Sequence, residues 1–178
     1  MKICFLDNSN ISYTSNNLNS INIRGAENVV INLSQELVKF KNDVDVFNNG
    51  SSSCNINDVK WNNIKNINKD IVYDVAFTNN DIRLFDKIRA KKYVAFSHSI
   101  QSLEKFIRKG QLFSYLKYKP KIILLGNYHN KNRNFLLKIF GAINLQWAVD
   151  PIFLNSSLDE TMIENRAIFT SRRDRNLN

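Results

Sequence analysis

The stretch Arg24-Gly25-Ala26-Glu27, running on to Phe47, decides how this chain is built. From Ala26 the apolar residues Val29, Val30, Leu33, Leu37 and Phe40 recur at helical spacing and form one stripe. Asn28, Asn32, Gln35, Glu36 and Lys39 take the opposite face. Glu27 in the first turn and Lys39 and Lys41 in the last suit the helix dipole. Asn42 is expected to supply the left-handed turn that ends the helix. Val44, Val46 and Phe47 then alternate with Asp45 as a strand, and Lys2 to Leu6 is a second apolar run upstream. Strand, glycine-bearing loop, amphipathic helix and strand make a βαβ unit, the opening of a doubly wound sheet.

Working outward, the pattern repeats. Val72 to Phe77 reads as a strand ending at Thr78-Asn79-Asn80, and Asp81 opens a helix through Ala90 with Ile82, Leu84, Phe85 and Ile88 inward. Tyr93 to Phe96 is the next strand, with Ser97-His98-Ser99 at its carboxyl edge. Residues 101–118 are expected as one basic amphipathic helix with Leu103, Phe106, Ile107, Leu112, Phe113 and Leu116 inward, stopped by Pro120. Ile122 to Leu125 is a strand, Gly126-Asn127 its exit, 128–140 a helix, and Ile143 to Val149 a last extended run. Residues 48–55 read as a surface loop, and 56–72 hold a short strand or helix. The expected fold is therefore α/β, a Rossmann-like three-layer sandwich on a mostly parallel sheet. Ligands of such sheets bind at the carboxyl ends of the strands, here Asp7 to Gly25, Thr78 to Asp81, Ser97 to Ser99 and Gly126 to Tyr128.

Composition narrows the class. The 178 residues are 43% hydrophobic, enough for one core, yet no apolar run approaches the ~20 residues of a membrane span. No secretory leader is expected, because Lys2 is followed by only a few apolar residues before Asp7. Cys4 and Cys54 have no metal-ligand spacing and read as reduced thiols, and no His/Cys/carboxylate pattern suggests a metal. The net charge of +9 is lopsided: residues 81–178 carry 18 basic and 8 acidic side chains, against 7 and 8 before them. Such a half suits nucleic acid, anionic lipid or a phosphorylated substrate, and equally a solvated surface. No G-x-G-x-x-G or G-x-S-x-G is present, against a dinucleotide dehydrogenase and an α/β-hydrolase.

Several segments in order resemble family 4 glycosyltransferases, which are retaining, two-domain enzymes of the GT-B type. The carriers are the first strand and Gly25-Ala26-Glu27 helix, Val94-Ala95-Phe96-Ser97-His98, and Leu124-Leu125-Gly126-Asn127-Tyr128. Trp147-Ala148-Val149-Asp150-Pro151 and Ala167-Ile168-Phe169-Thr170-Ser171-Arg172 complete them. Arg24 stands where the family often has a first glycine, and Lys41-Asn42 where it has Gly-His. The resemblance implies an acceptor-side domain over 1–150, an interdomain linker over 151–165, and the start of a donor-binding domain over 166–178. The family's pair of glutamates on the donor side has no counterpart among Glu27, Glu36, Glu104, Glu160 and Glu164, so an incomplete, inactive piece is expected.

By the same resemblance, His98 is the expected catalytic residue. Gly25, Ala26, Glu27, Asn79, Ser97, Asn127 and Arg172 are the expected donor- and acceptor-binding residues. For Gly25 a loop-ending glycine, for Arg172 a solvated basic tail, and for His98 a satisfied core histidine are the plainer alternatives. His129 is expected simply to be exposed. The implied partners are a nucleotide-sugar donor and a glycan or lipid-linked acceptor, with no metal, no resident cofactor and no nucleic acid. The implied setting is cytoplasmic, with residues 101–121 touching the anionic inner face of the membrane. The rival from another class is a non-enzymatic flavodoxin-like domain that holds an anionic partner.

Overall fold

The computed structural model describes residues 1–18, 23–50, 53–79, 81–98 and 100–145, all within one compact unit spanning Met1–Gln146. The expected linker, the start of a second domain and Arg172 lie outside the described residues. The elements are β1 (Lys2–Leu6), α1 (Gly25–Lys39), β2 (Asp43–Asn48), β3 (Cys54–Ile56), β4 (Val59–Asn63), β5 (Val72–Asn79) and β6 (Arg89–Ser97). They continue with α2 (Leu103–Arg108), α3 (Leu112–Tyr118), β7 (Lys121–Leu124), α4 (Asn127–Lys131), α5 (Phe135–Lys138) and β8 (Ala142–Asn144).

All eight strands form one sheet in the order β3-β4-β2-β1-β5-β6-β7-β8, parallel throughout except for the β3–β4 hairpin. The chain winds outward from β1 through β2 to β4, then returns to the other side of β1 to lay down β5 to β8. With the hairpin strand β3 set aside, the order is the 3-2-1-4-5-6 of a Rossmann sheet with one strand more, not the 2-1-3-4-5 of a flavodoxin. The flavodoxin-like arrangement of the rival is thus not the one adopted. The winding reverses between β1 and β5, the switch point at whose carboxyl ends open α/β sheets form their ligand crevice.

Strand periodicity of two divides the core. Ile3 and Phe5 face α1 and pack with Val30, Ile31, Val44, Val46, Trp61 and Phe96. Cys4 and Leu6 face the other way, with Phe47, Ala76, Phe85, Phe106, Tyr115 and Leu137. Phe5, Phe77 and Phe96 stack across three neighbouring strands on the α1 face, with centroids 4.9 and 5.8 Å apart. Helices therefore flank both faces of an α/β sheet.

The first unit, β1-α1-β2, lies where the sequence places it. Two details differ. Phe40, expected in the apolar stripe, is 77% exposed because α1 stops at Lys39, and Lys41 rather than Asn42 takes the left-handed conformation (φ 59°). Asn42 instead caps the helix by donating Nδ2–H to the Leu37 carbonyl at 2.9 Å. The 48–55 loop contains the start of the β3–β4 hairpin, and the 56–72 region, expected as a short strand or helix, holds β4 followed by a 3-10 helix over Ile64–Asn66. Ile82, Leu84, Phe85 and Ile88 are buried as expected, but on a 3-10 helix over Ile82–Lys87, with β6 beginning already at Arg89.

The largest correction concerns 101–118. The chain forms two short helices, α2 and α3, separated at Gly110 (φ 63°). This break rotates the second helix relative to the expected stripe. Phe106 and Tyr115 are buried, whereas Ile107, Phe113 and Leu116, all expected inward, are 58%, 86% and 49% exposed. Lys119, ahead of Pro120, is the left-handed C-cap of α3 (φ 43°), outside the helical region that proline disfavours in its predecessor. The expected 128–140 helix is likewise two pieces, α4 and α5.

A Cβ at Gly110 would meet nothing within 4 Å, so its left-handed backbone is the whole cost of a side chain there. Gly110→Ala should destabilise by about 1–2 kcal/mol, a fall in Tm of roughly 2–8 °C. Gly25→Ala, with an ordinary helical backbone and open space around it, is the control and should lose nothing. Calorimetry on both variants checks this; equal melting of the two would mean the α2–α3 break is not held by Gly110.

Candidate functional site

The period of two that builds the strands continues one step past their ends. Phe5, Phe77 and Phe96 share the α1 face, so the residues two positions on, Asp7, Asn79 and His98, emerge on that face at the carboxyl edge. Pairing of Asn79 with Phe96 between β5 and β6 keeps the neighbours in step. The His98 ring lies over Phe96 at 6.4 Å, nearly parallel to it. Three polar side chains from three strands thus meet over the switch point.

They are joined by hydrogen bonds. His98 Nε2 lies 2.6 Å from Asn79 Oδ1, and Asn79 Nδ2–H donates to Asp7 Oδ2 at 3.4 Å. Asp7 also accepts from the Tyr13 hydroxyl at 2.7 Å and from the Ser9 backbone N–H at 2.9 Å. Since the Asn79 amide gives its N–H to Asp7, its carbonyl oxygen accepts from His98, and Nε2 carries the ring proton. In the neutral ring Nδ1 is then the acceptor nitrogen. Burial lowers the His98 pKa below its usual value, with the negative charge of Asp7 pulling the other way, so the imidazole is neutral at pH 7.

Tyr13 and Glu27 close the cluster from the loop and from α1. Tyr13 is fully buried, edge-on to Trp61 at 5.8 Å. Burial, then the charge and hydrogen bond of Asp7 and the charge of Glu27, hold its phenol well above the usual range, so it remains a donor. Glu27, in the first turn of α1, is 2% exposed, and its Oε2 has no hydrogen-bond partner among the described residues. Gly25 is exposed and Ala26 half-buried at the same helix start. The N–H groups of that first turn have the orientation that receives anions.

A second polar cluster lies on the opposite face of the same edge. Asp81 accepts a two-pronged interaction from Arg83, Nε–H to Oδ1 at 2.9 Å and Nη2–H to Oδ2 at 2.8 Å. Asn8 Nδ2–H adds 2.8 Å and Gln111 Nε2–H 3.4 Å. Burial pushes the Asp81 carboxyl up, but the Arg83 hydrogen bonds and charge outweigh it and leave the carboxyl below its usual range. Asn8 follows Asp7 directly, so the two clusters share the exit of β1.

Of the expected site residues, His98 and Asn79 are in direct contact, and Glu27 reaches the same cluster through Tyr13. Ser97 lies at the end of β6, pointing to the opposite face from His98 and into a small pocket. Asn127 is on the same edge but farther along the sheet, where its Oδ1 accepts from Asn144 Nδ2 at 2.8 Å. Arg172 lies outside the described residues, and His129, expected on the surface, is half-buried beside Tyr128. Asp7, Tyr13 and Asp81 fall within the strand-end ranges expected to meet ligands without being named as binding residues, and Arg83 lies outside those ranges. A signal for Asp7 existed, one alternation step beyond Phe5. Among the described residues no group of three His, Cys, Asp or Glu side chains could hold a metal ion. No helix among them is long and apolar enough to cross a membrane.

The buried chain from His98 to Asp7 sets a pH dependence. By NMR, His98 should titrate below about 6.5, the usual histidine value. Because the Asp7 charge favours the imidazolium, Asp7→Asn should move the His98 pKa further down. An upward or absent shift would mean that Asp7 does not act on the ring.

No family model, curated protein or solved structure matches the chain.

Proposed function

We propose that this chain is the acceptor-side domain of a GT-B glycosyltransferase resembling family 4. It would act in transfer of a hexose from a nucleotide-sugar to a glycan or lipid-linked acceptor, with retention, in polysaccharide or lipopolysaccharide assembly. The single observation that supports this most is the gathering of Asp7, Asn79 and His98 over the β1/β5 switch point. Open α/β sheets bind their ligands there. A neutral imidazole held by an amide, itself held by a buried carboxylate, is a preset hydrogen-bonding group rather than a charged one. Such a group can orient a sugar hydroxyl in the transition state without changing its own charge. The α1 start at Gly25, Ala26 and Glu27 would face the donor diphosphate, and Ser97 and Asn127 the acceptor side.

The membrane contact belongs to the same proposal. Ile107, Phe113 and Leu116 are exposed beside Arg108, Lys109 and Lys117, the mixture of apolar and basic side chains that favours an anionic bilayer surface. Residues 101–121 would rest on the inner face of the membrane while the β1/β5 crevice receives its acceptor.

Two outcomes test the proposal. In the protein carrying this domain, His98→Ala should lower kcat/KM for hexose transfer by roughly 10²–10³, the loss typical of one transition-state hydrogen-bonding group, with Tm nearly unchanged. A drop in Tm with full activity per folded molecule would make His98 a structural residue and overturn its assigned role.

For the membrane contact, the protein should bind phosphatidylglycerol vesicles but not phosphatidylcholine vesicles, with affinity falling steeply as salt rises. Phe113→Ser should weaken that binding without altering Tm, since Phe113 packs against nothing it would leave empty. Equal, weak binding to both vesicle types would leave only a solvated basic face.

A further inference from the structure

The helical layer opposite α1 leaves a second set of large apolar side chains in the open, beyond the 101–121 stretch. α5 packs on the sheet through Leu137, which is 1% exposed, whereas Phe135 and Ile139 are 73% and 78% exposed. At 3.6 residues per turn, positions two before and two after an inward residue point about 160° away from it. Phe135 and Ile139 therefore both project away from the sheet. α3 repeats the arrangement: Tyr115 is fully buried, and Phe113, two residues before it, stands almost wholly in the open.

The two helices are neighbours. Tyr115 lies edge-on to Phe140, just past α5, at 4.6 Å, and the Asn134 N–H at the start of α5 donates to the Gln101 carbonyl at 3.2 Å. Packed helices stand about 8–10 Å apart, so Phe113 and Leu116 of α3 and Phe135 and Ile139 of α5 belong to one surface.

Shape and charge say what covers it. Side chains so widely exposed project from the layer rather than line a groove. A folded partner meets such projections only with matching hollows, whereas acyl chains flow round them. Residues 101–145 carry nine lysines and arginines and one acid, Glu104, against three and two over 24–41 on the opposite layer. Charge of this density sets two copies of the chain against each other and attracts an anionic surface. Apolar projections set among lysines are what an anionic bilayer interface receives.

We propose that α3 and α5 together form a bilayer-inserting surface, with Phe135 and Ile139 entering the acyl boundary beside Phe113 and Leu116, and with the exposed Lys117, Lys131 and Lys138 at the headgroups. The inference rests on the membrane contact proposed for residues 101–121 and adds a second anchor to it. One short helix is a line about which the domain rolls; two side by side define a plane. The sheet then lies parallel to the membrane, one helix layer of about 10–12 Å above it. α1 faces away, and the β1/β5 switch point opens along the surface.

Two measurements on the full chain test this. Co-sedimentation with phosphatidylglycerol and phosphatidylcholine vesicles compares the wild type with Phe135→Ser combined with Ile139→Ser, and with Phe40→Ser. Phe40 is the matched control, an equally exposed aromatic at the end of α1 on the other layer. The α5 double variant should bind phosphatidylglycerol roughly tenfold more weakly or worse, since it removes two apolar side chains from the lipid. Phe40→Ser should bind as the wild type does, and all three should melt alike, because none of these side chains fills the core. In phosphatidylglycerol nanodiscs carrying a lipid spin-labelled near its headgroup, methyl signals of Leu116, Leu136 and Ile139 should broaden, and those of Leu33 and Leu37 on α1 should not.

Undiminished binding by the α5 double variant, in a protein whose binding falls on Phe113→Ser, overturns the second anchor and leaves the 101–121 contact standing. Equal binding to both vesicle types removes both. A loss on Phe40→Ser as large as that on the double variant marks general stickiness and overturns the inference, as does broadening of Leu116 without Ile139. Tighter binding of poly-glutamate than of phosphatidylglycerol vesicles, lost in the same double variant, would give the surface to an acidic protein instead and overturn it too.

Discussion

A buried carboxylate without a cation is the constraint on which the carboxyl edge depends. Asp7 is 2% exposed, and among the described residues no lysine or arginine forms an ion pair with it. Taking a carboxylate out of water costs several kcal/mol unless donors surround it. Here the donors come from three parts of the chain: the Tyr13 hydroxyl, the Ser9 N–H and the Asn79 amide. The loop after β1 must therefore fold back on itself, and β5 must lie against β1 in one register. Leu6 opposite Thr78 is that register. A slip of one residue would turn Asn79 away and leave Asp7 with the Tyr13 hydroxyl and the Ser9 N–H as its donors.

The same requirement orders the residues nearest the candidate chemistry. Because Asp7 takes the Asn79 N–H, Asn79 can only accept from His98, and the histidine tautomer follows from a carboxylate two residues removed. Tyr13 is anchored against Trp61, and Asn48 donates Nδ2–H to the Tyr13 carbonyl at 2.6 Å, so the long polar loop is tied to β2 and β4 as well. A loop of that length without regular structure is held here by side chains rather than by a ladder. On the opposite face Asp81 is met by a cation, Arg83, as well as by neutral donors. Two carboxylates on one edge are thus neutralised differently: one by amide and hydroxyl dipoles, one by a guanidinium.

What was legible before the structure was the repeating alternation of strands and helices. Ile3 and Phe5 against Cys4 and Leu6, and Val44 and Val46 against Phe47, declare their faces by period two. The α1 stripe declares its own by period 3.6, short of Phe40. The basic, aromatic stretch after His98 misled because its apolar residues fit one long helical stripe only if the helix is unbroken. A single left-handed glycine at 110 resets the phase, and Phe113 and Leu116 beyond it, which the stripe turns inward, are left outside. Nothing in local periodicity distinguishes Gly110 as a helix break from Gly110 as a tolerated helix interior residue, since the difference is about 1 kcal/mol and packing of Tyr115 decides it.

By itself the sequence determined the α/β class, the places of β1, β2, β5, β6 and β7, and the placing of His98 and Asn79 at strand ends. Those properties follow from local sterics and from which residues avoid water, and both are written in neighbouring positions. Tertiary structure alone decided the strand order, and with it the switch point between β1 and β5. It alone brought Asp7 to Asn79 across 72 residues. Hydrogen bonds and charges act over a few ångströms in space with no regard to separation along the chain. Their partners exist only once the sheet is assembled.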